Sequence, residues 1–278
     1  MALAKAGDVE LSYERGGSGP PLLMIMGLGG TYAHWDERFL EDLKRDYDVI
    51  IYDHRSVGES TRVSEPFTIA QLAEDASALL AALAIGGAHV LGFSMGGMVA
   101  QELALAHPEQ IDRLVLASTY CGGAESKRTR SDALKRLAEA GASGDRDLAT
   151  QVAWEINVSP RFAENEPAHE RFFEIASRRR VAFVVLRAQV NAIMAHDTSE
   201  RLPSLALPTL VIHGTADEMV PVANGELIAS LIPDSRLELL DGAGHLFFWE
   251  APESAAQLVR SHIGGSERDL ALGHADSA

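Results

Sequence analysis

Cysteine is nearly absent: Cys121 is the only one in 278 residues. That excludes a disulfide framework and any metal site built on several cysteines. Long apolar runs are missing too. No stretch approaches the 18 or so apolar residues of a membrane span, and Met1-Ala2-Leu3-Ala4-Lys5-Ala6-Gly7-Asp8 contains no apolar core of signal-peptide length. Basic residues are scarce, with 24 Lys and Arg against 40 Asp and Glu, a formal charge of −16. This balance fits neither a nucleic-acid footprint nor attraction to an anionic membrane. What is plentiful is apolar character, at 46% of residues. A chain of this length buries roughly 70–75% of its unfolded surface and needs no metal, disulfide or lipid for stability. The expectation is a soluble, cytoplasmic protein with no nucleic-acid or membrane partner; its oligomeric state is not readable.

Short apolar runs recur at residues 22–26, 49–52, 89–93, 114–117, 210–212 and 237–240, each suited to a strand buried on both faces. Residues 9–14 alternate instead, as a half-exposed edge strand does. Between the runs lie helical patterns. Thr68-Ile69-Ala70-Gln71 fits a capping box, and Leu72, Ala76, Leu79, Leu80 and Leu83 then share one helical face. Gly86-Gly87 is expected to end that helix, and Pro252 to open another. Alternating strands and helices imply a doubly wound α/β sheet. The rhythm breaks over residues 122–202, which read as helical, charged and dotted with aromatics. The predicted organisation is a first core part (1–121), a helical cap inserted late in the sheet (122–202), a second core part (203–263) and a disordered tail (264–278).

Gly92-Phe93-Ser94-Met95-Gly96-Gly97 sits between a buried strand and a helix. Gly-x-Ser-x-Gly in that setting is a nucleophile elbow, in which the serine stands on a sharp strand-to-helix turn and small flanking residues let the backbones close. The helix N-terminus adds free N–H groups and the positive end of its dipole. A serine needs a base oriented by a third group, and Asp217, in Gly214-Thr215-Ala216-Asp217, and His245, in Gly242-Ala243-Gly244-His245, follow in the order acid, then histidine. Asp241 is a rival acid, better suited to an ordinary strand-end turn. His213 reads as packed or bonded to backbone, and His34 as either pocket lining or structural. Asp53 and Arg55 read as a pair fixing loop geometry, Cys121 as a small buried hydrophobe, and Arg178, Arg179 and Arg180 as a solvated face or, alternatively, an anion site.

With these motifs the chain resembles the α/β-hydrolase superfamily over nearly its whole length outside the insert. Met26-Gly27-Leu28-Gly29-Gly30 is similar to that superfamily's oxyanion loop, with Met26 where histidine is usual. Asp53-His54-Arg55-Ser56-Val57-Gly58-Glu59-Ser60 is similar to its Asp-x-Arg-Gly-x-Gly-x-Ser turn, departing at Ser56. The elbow, the helical insert and Ala243-Gly244-His245 look most like 3-oxoadipate enol-lactonases, and Tyr52-Asp53-His54-Arg55 resembles methyl esterases acting on anthracyclines. The resemblance implies an α/β-hydrolase fold, a Ser94–His245–Asp217 triad, and an oxyanion hole made by the Leu28 and Met95 amides. Gly27, Gly29, Trp35, Tyr120, Trp154, Met219, Leu246 and Phe247 are the expected pocket residues, with no metal or organic cofactor. The implied reaction is acyl transfer to Ser94 from small, fairly apolar esters or lactones. Carbon–carbon bond hydrolysis and cofactor-free perhydrolysis use the same triad, and a ligand-binding member without catalysis is the non-enzyme alternative. Epoxide hydrolases and haloalkane dehalogenases of this superfamily use an aspartate nucleophile where this chain has Ser94.

Overall fold

Leu22, Leu23, Met24 and Ile25 are all without solvent exposure, because alternate residues of this run serve two separate cores. Leu23 and Ile25 pack in one and Leu22 and Met24 in the other, so helices must cover both faces of the sheet. The computed structural model describes residues 1–129 and 131–264, and of residue 131 only its place in a helix. The expected tail, save Gly264, and Arg130 lie outside the described residues.

The strands are β1 (Ala2–Ala6), β2 (Val9–Gly17), β3 (Pro21–Ile25), β4 (Asp48–Tyr52), β5 (Ala88–Phe93), β6 (Ile111–Ala117), β7 (Thr209–Gly214) and β8 (Ser235–Leu240). They form one sheet in the order β1-β2-β4-β3-β5-β6-β7-β8. β2 pairs antiparallel with both β1 and β4, and every later pairing is parallel. The helices are α1 (Glu37–Leu43), α2 (Ile69–Ala82), α3 (Met95–Ala106), α4 (Ser131–Ala142), α5 (Arg146–Asn157), α6 (Glu166–Arg178), α7 (Phe183–Met194), α8 (Ala223–Leu231), α9 (Phe247–Glu250) and α10 (Pro252–Ile263). α4 to α7 all fall between β6 and β7.

Three details of the sequence reading change. Residues 9–14 are not at an edge: β1 pairs outside them, and the alternation of β2 reflects its place near the end of the sheet, where cover is thinner. β8 is the opposite edge and only half-buried, so residues 237–240 are not enclosed on both faces. The helix with the Thr68 capping box forms as expected, with both reciprocal bonds present, but it ends before Gly86. Ala84 takes the left-handed turn at φ 56°, with Ile85 N–H donating to Leu80 at 2.9 Å and Ala84 N–H to Ala81 at 3.0 Å. That is a Schellman end made without glycine, with Ile85 and Leu80 both buried in the same core.

The turn after β4 buttresses the loop after β3. His54 Nε2 donates to the Met26 carbonyl at 2.9 Å, and Asp53 Oδ1 accepts the Tyr32 N–H at 2.8 Å. The Arg55 guanidinium bonds the Asp75 carboxylate through Nε at 2.7 Å and Nη2 at 2.6 Å, pinning the turn to α2 in a site that leaves both side chains under a tenth exposed. Ser56, at the position where glycine is usual, does adopt positive φ (67°), and its Oγ accepts the Val63 N–H at 2.9 Å. Arg55 and Asp53 thus fix loop geometry. The second Asp53 oxygen is buried without a partner among the described residues, and burial pushes this carboxyl up to about 6, partly offset by the Tyr32 N–H.

Two outcomes are expected. Ala84→Gly relieves the left-handed strain and raises stability by about 0.5–1 kcal/mol, after the extra flexibility glycine gives the unfolded chain; a shift in urea midpoint at constant slope measures it. For Asp53, the folded protein holds a proton that the unfolded chain has released between pH 3.8 and about 6. Its contribution is therefore full below pH 3.8 and is lost as pH rises through about 6. Asp53→Asn removes that dependence, so its stability relative to the parent rises across this window in denaturation curves taken every half unit.

Candidate active site

Ser94 follows β5 directly and opens α3. Its backbone sits at φ 55°, ψ −121°, outside the ordinary wells of an L-residue and costing about 1–3 kcal/mol. The surroundings enforce this geometry. A Cβ on Gly92 would collide with the Gly96 carbonyl, and one on Gly96 with the Ile25 carbonyl, so α3 approaches β5 and β3 closely only because both positions lack side chains. Ser94 N–H donates to Ala117 at 2.9 Å, and its carbonyl accepts the Thr119 hydroxyl at 2.7 Å. The Ser94 hydroxyl caps nothing on α3, which removes a helix-cap role as the reason for the serine.

Asp217 and His245 lie in the loops after β7 and β8. His245 Nδ1 and Asp217 Oδ2 are 2.7 Å apart and both side chains are buried. A ring nitrogen at that distance from a carboxylate carries the proton, which leaves Nε2 as the basic nitrogen. Asp217 Oδ1 accepts the Met219 and Val220 N–H groups at 2.9 and 2.8 Å. Burial alone raises its carboxyl, but the facing His245 and His213 outweigh that and bring it to about 2. Asp241 is exposed and, among the described residues, accepts only a long bond from Thr215 at 3.3 Å. His213 is packed and bonded to backbone as expected, its Nε2 2.8 Å from the Val220 carbonyl. It also lies 3.3 Å from Asp217 Oδ2, a second histidine on the same carboxylate that the sequence reading left out.

The loop after β3 closes a tight turn, with Gly30 N–H donating to Gly27 at 3.2 Å. A Cβ on Gly27 would come within 2.9 Å of Ser94 Cβ, so this loop runs against the elbow. Gly29 N–H donates to Gln189 Oε1 of α7 at 2.9 Å. Among the described residues, the amides of Leu28 and Met95 donate to no protein group.

The remaining expected pocket residues divide. Tyr120 donates its hydroxyl to the Ile193 carbonyl of α7 at 3.0 Å. Met219 is partly exposed beside Asp217, and its carbonyl accepts the Thr129 hydroxyl at 2.6 Å. Leu246 and Phe247 are buried directly after His245. Trp35 and Trp154 are taken up in core packing instead. Trp35 lies 4.9 Å from the Phe248 ring, and Trp154, wholly unexposed, packs on Phe172 at 5.3 Å. His34 is structural: Nδ1 accepts the Thr31 N–H at 3.0 Å, and burial drives its pKa down to about 4. Arg178 pairs with Glu174 on an exposed face, whereas Arg179 lies 4.5 Å over the Tyr32 ring. Cys121 is buried and free.

Sequence reasoning missed several supports of this site. Ser118, with φ 43°, donates its hydroxyl to the His245 carbonyl at 3.2 Å. Glu250 accepts Gly244 N–H at 2.8 Å and both the N–H and hydroxyl of Ser159 at 2.8 and 2.6 Å. Leu246 N–H donates to Asn157 at 2.7 Å. The only local signals were Ser118-Thr119 after a strand end and a lone acid in an apolar helix. Among the described residues no group of three or more His, Cys, Asp and Glu side chains is placed to hold a metal, and no helix is long and apolar enough to cross a membrane.

Known proteins agree with this architecture. A putative carbamate hydrolase, RutD, of Azorhizobium caulinodans is 30% identical over 95% of this chain and 98% of its own. An esterase from Rhodococcus sp. is 27% identical with a TM-score of 0.83, covering 95% of this chain and 98% of its own. An enol-lactonase from Burkholderia xenovorans is 25% identical with a TM-score of 0.81, covering 95% and 100%. The family described as the alpha/beta hydrolase fold matches residues 20–153 and 124–252, and with that span, the eight-stranded mostly parallel sheet and the elbow at Ser94, the chain belongs to the alpha/beta hydrolase family.

Proposed function

We propose that this hydrolase cleaves carboxylic esters or lactones of small, fairly apolar molecules by acyl transfer to Ser94. The observation that carries the reading is the pairing of a strained serine whose hydroxyl caps nothing with a buried histidine–carboxylate pair 2.7 Å apart. Strain held in place by its surroundings gathers where geometry serves function. Ser94 Oγ attacks the carbonyl carbon while His245 Nε2 takes the hydroxyl proton. The Asp217 carboxylate keeps the proton on Nδ1 and stabilises the imidazolium. The amides of Leu28 and Met95 are the donors for the oxyanion, each worth about 3–4 kcal/mol in such sites. Collapse breaks the bond to the leaving oxygen, which receives the proton from His245. Water, deprotonated by His245, then attacks the acyl carbon, and the acid leaves as Ser94 regains its proton. In this reading α4 to α7 form a cap that bounds the acyl pocket.

A carbamate is the second reading, favoured by the relationship to the RutD protein. Its carbonyl passes through the same tetrahedral intermediate, so the same residues serve both.

The deciding measurement is hydrolysis of p-nitrophenyl esters of increasing acyl length alongside a p-nitrophenyl carbamate. Ser94→Ala is expected to lower kcat by about 10⁶-fold, and a signal unchanged in that variant sinks the proposal. Asp217→Asn, which leaves Nδ1 facing a group that can donate, is expected to lower kcat by about 10⁴-fold with the fold intact by circular dichroism. Retained turnover in that variant moves the acid role elsewhere.

A further inference from the structure

α7 presents one stripe to the site. Leu186 lies 2.8 Å from where a Gly29 Cβ would stand, Gln189 bonds Gly29 N–H, and the Ile193 carbonyl holds the Tyr120 hydroxyl. The three positions are spaced i, i+3 and i+7, one helical face. Gln189 therefore sits between the loop after β3 and the segment after β6, the two pieces of chain that flank Ser94.

Gln189 has no solvent exposure. The orientation of its amide follows from the chemistry, because Gly29 N–H is a donor and must meet the oxygen. The nitrogen then points elsewhere, and Nε2 is buried with no hydrogen-bond partner among the described residues. A buried amide donor left unmade is costly, and a glutamine needed only to hold Gly29 would keep that cost for nothing. The donor lies one amide width from an oxygen bonded to Gly29, the neighbour of Leu28.

We propose that Gln189 Nε2 is a substrate-binding donor that takes an uncharged oxygen acceptor carried on the acyl part of the substrate, close to the scissile carbonyl. The inference rests on the ester-hydrolase reading and narrows it: the preferred acyl group bears a second carbonyl-type oxygen and is not a plain alkanoyl chain. The same side chain joins α7 to the oxyanion loop through Oε1, so binding at Nε2 ties substrate recognition to the placement of that loop.

The test uses three esters of one chain length, ethyl butanoate, ethyl 2-oxobutanoate and ethyl 3-oxobutanoate, and reads ratios of kcat/KM. Gln189→Glu keeps an oxygen for Gly29 N–H and replaces the donor with an acceptor. Gln189→Met removes both functions and reports what loosening the loop does to all three esters. The expected result is that the parent enzyme favours one oxo ester over butanoate by about tenfold or more beyond their ratio in alkaline hydrolysis. In Gln189→Glu that preference is expected to fall by about tenfold, a loss of one hydrogen bond's discrimination. A parent-like ratio in Gln189→Glu overturns the proposal, and so does an equal slowing of all three esters, which assigns Gln189 to holding the loop alone. Failure of the wider reading looks different, since the parent would then turn over none of the esters. In that case calorimetric binding of the same esters to Ser94→Ala decides the point: tighter binding of an oxo ester, lost on adding Gln189→Glu, supports it, and equal binding overturns it.

Discussion

The close approach of α3 to the strands beneath it governs this molecule. Carbonyl oxygens of Ile25 and Gly96 occupy the space that side chains at Gly96 and Gly92 would need. With the helix set so near, the link between strand and helix is a single residue, and that residue is forced to φ 55°. The cost is distributed into bonds from neighbouring elements, above all the Ala117 carbonyl and the Thr119 hydroxyl at the end of β6. β6 in turn hands its next residue, Ser118, to the His245 carbonyl. One packing constraint thus spreads from β3 through β5 and β6 to the loop after β8.

What was legible in the sequence were features carried by local chemistry. The Thr68 capping box needs only four adjacent residues, and it forms as read. The Gly-x-Ser-x-Gly pattern encodes a steric requirement in neighbouring positions, so its strand-to-helix setting was readable. Features set by partners far along the chain were not. Residues 9–14 alternate as an edge strand does, yet β1 covers them, and nothing in residues 2–6 announces a strand. Gly86 is the obvious helix stop, but the chain turns at Ala84 instead, with Leu80 and Ile85 both buried in the core around that turn. At the site, the sequence offered the chemically expressive residues and not their supports. Trp35 and Trp154 looked like pocket walls because aromatics serve either use, and only packing shows which.

Two histidines share the Asp217 carboxylate, and they differ in kind. His245 meets it through Nδ1 at 2.7 Å, whereas His213 spends Nε2 on the Val220 carbonyl and only grazes the acid at 3.3 Å. Val220 also gives its N–H to Asp217. His213 therefore braces the far side of the short loop that carries the acid, so that the oxygen facing His245 is held from behind by a side chain with no room to turn against Gly225.

The ties from Glu250 to Gly244 and Ser159, and from Leu246 to Asn157, couple the helices between β6 and β7 to the loop after β8 that carries His245. Leu246, after His245, is bonded to the end of α5, and Gly244, before it, is joined to the turn after α5 through the Glu250 carboxylate that also holds Ser159. That segment is therefore not an interchangeable module. A foreign helical insert grafted between β6 and β7 would remove the hydrogen-bonded seam beside His245, so the insert and the loop after β8 have to diverge together or not at all.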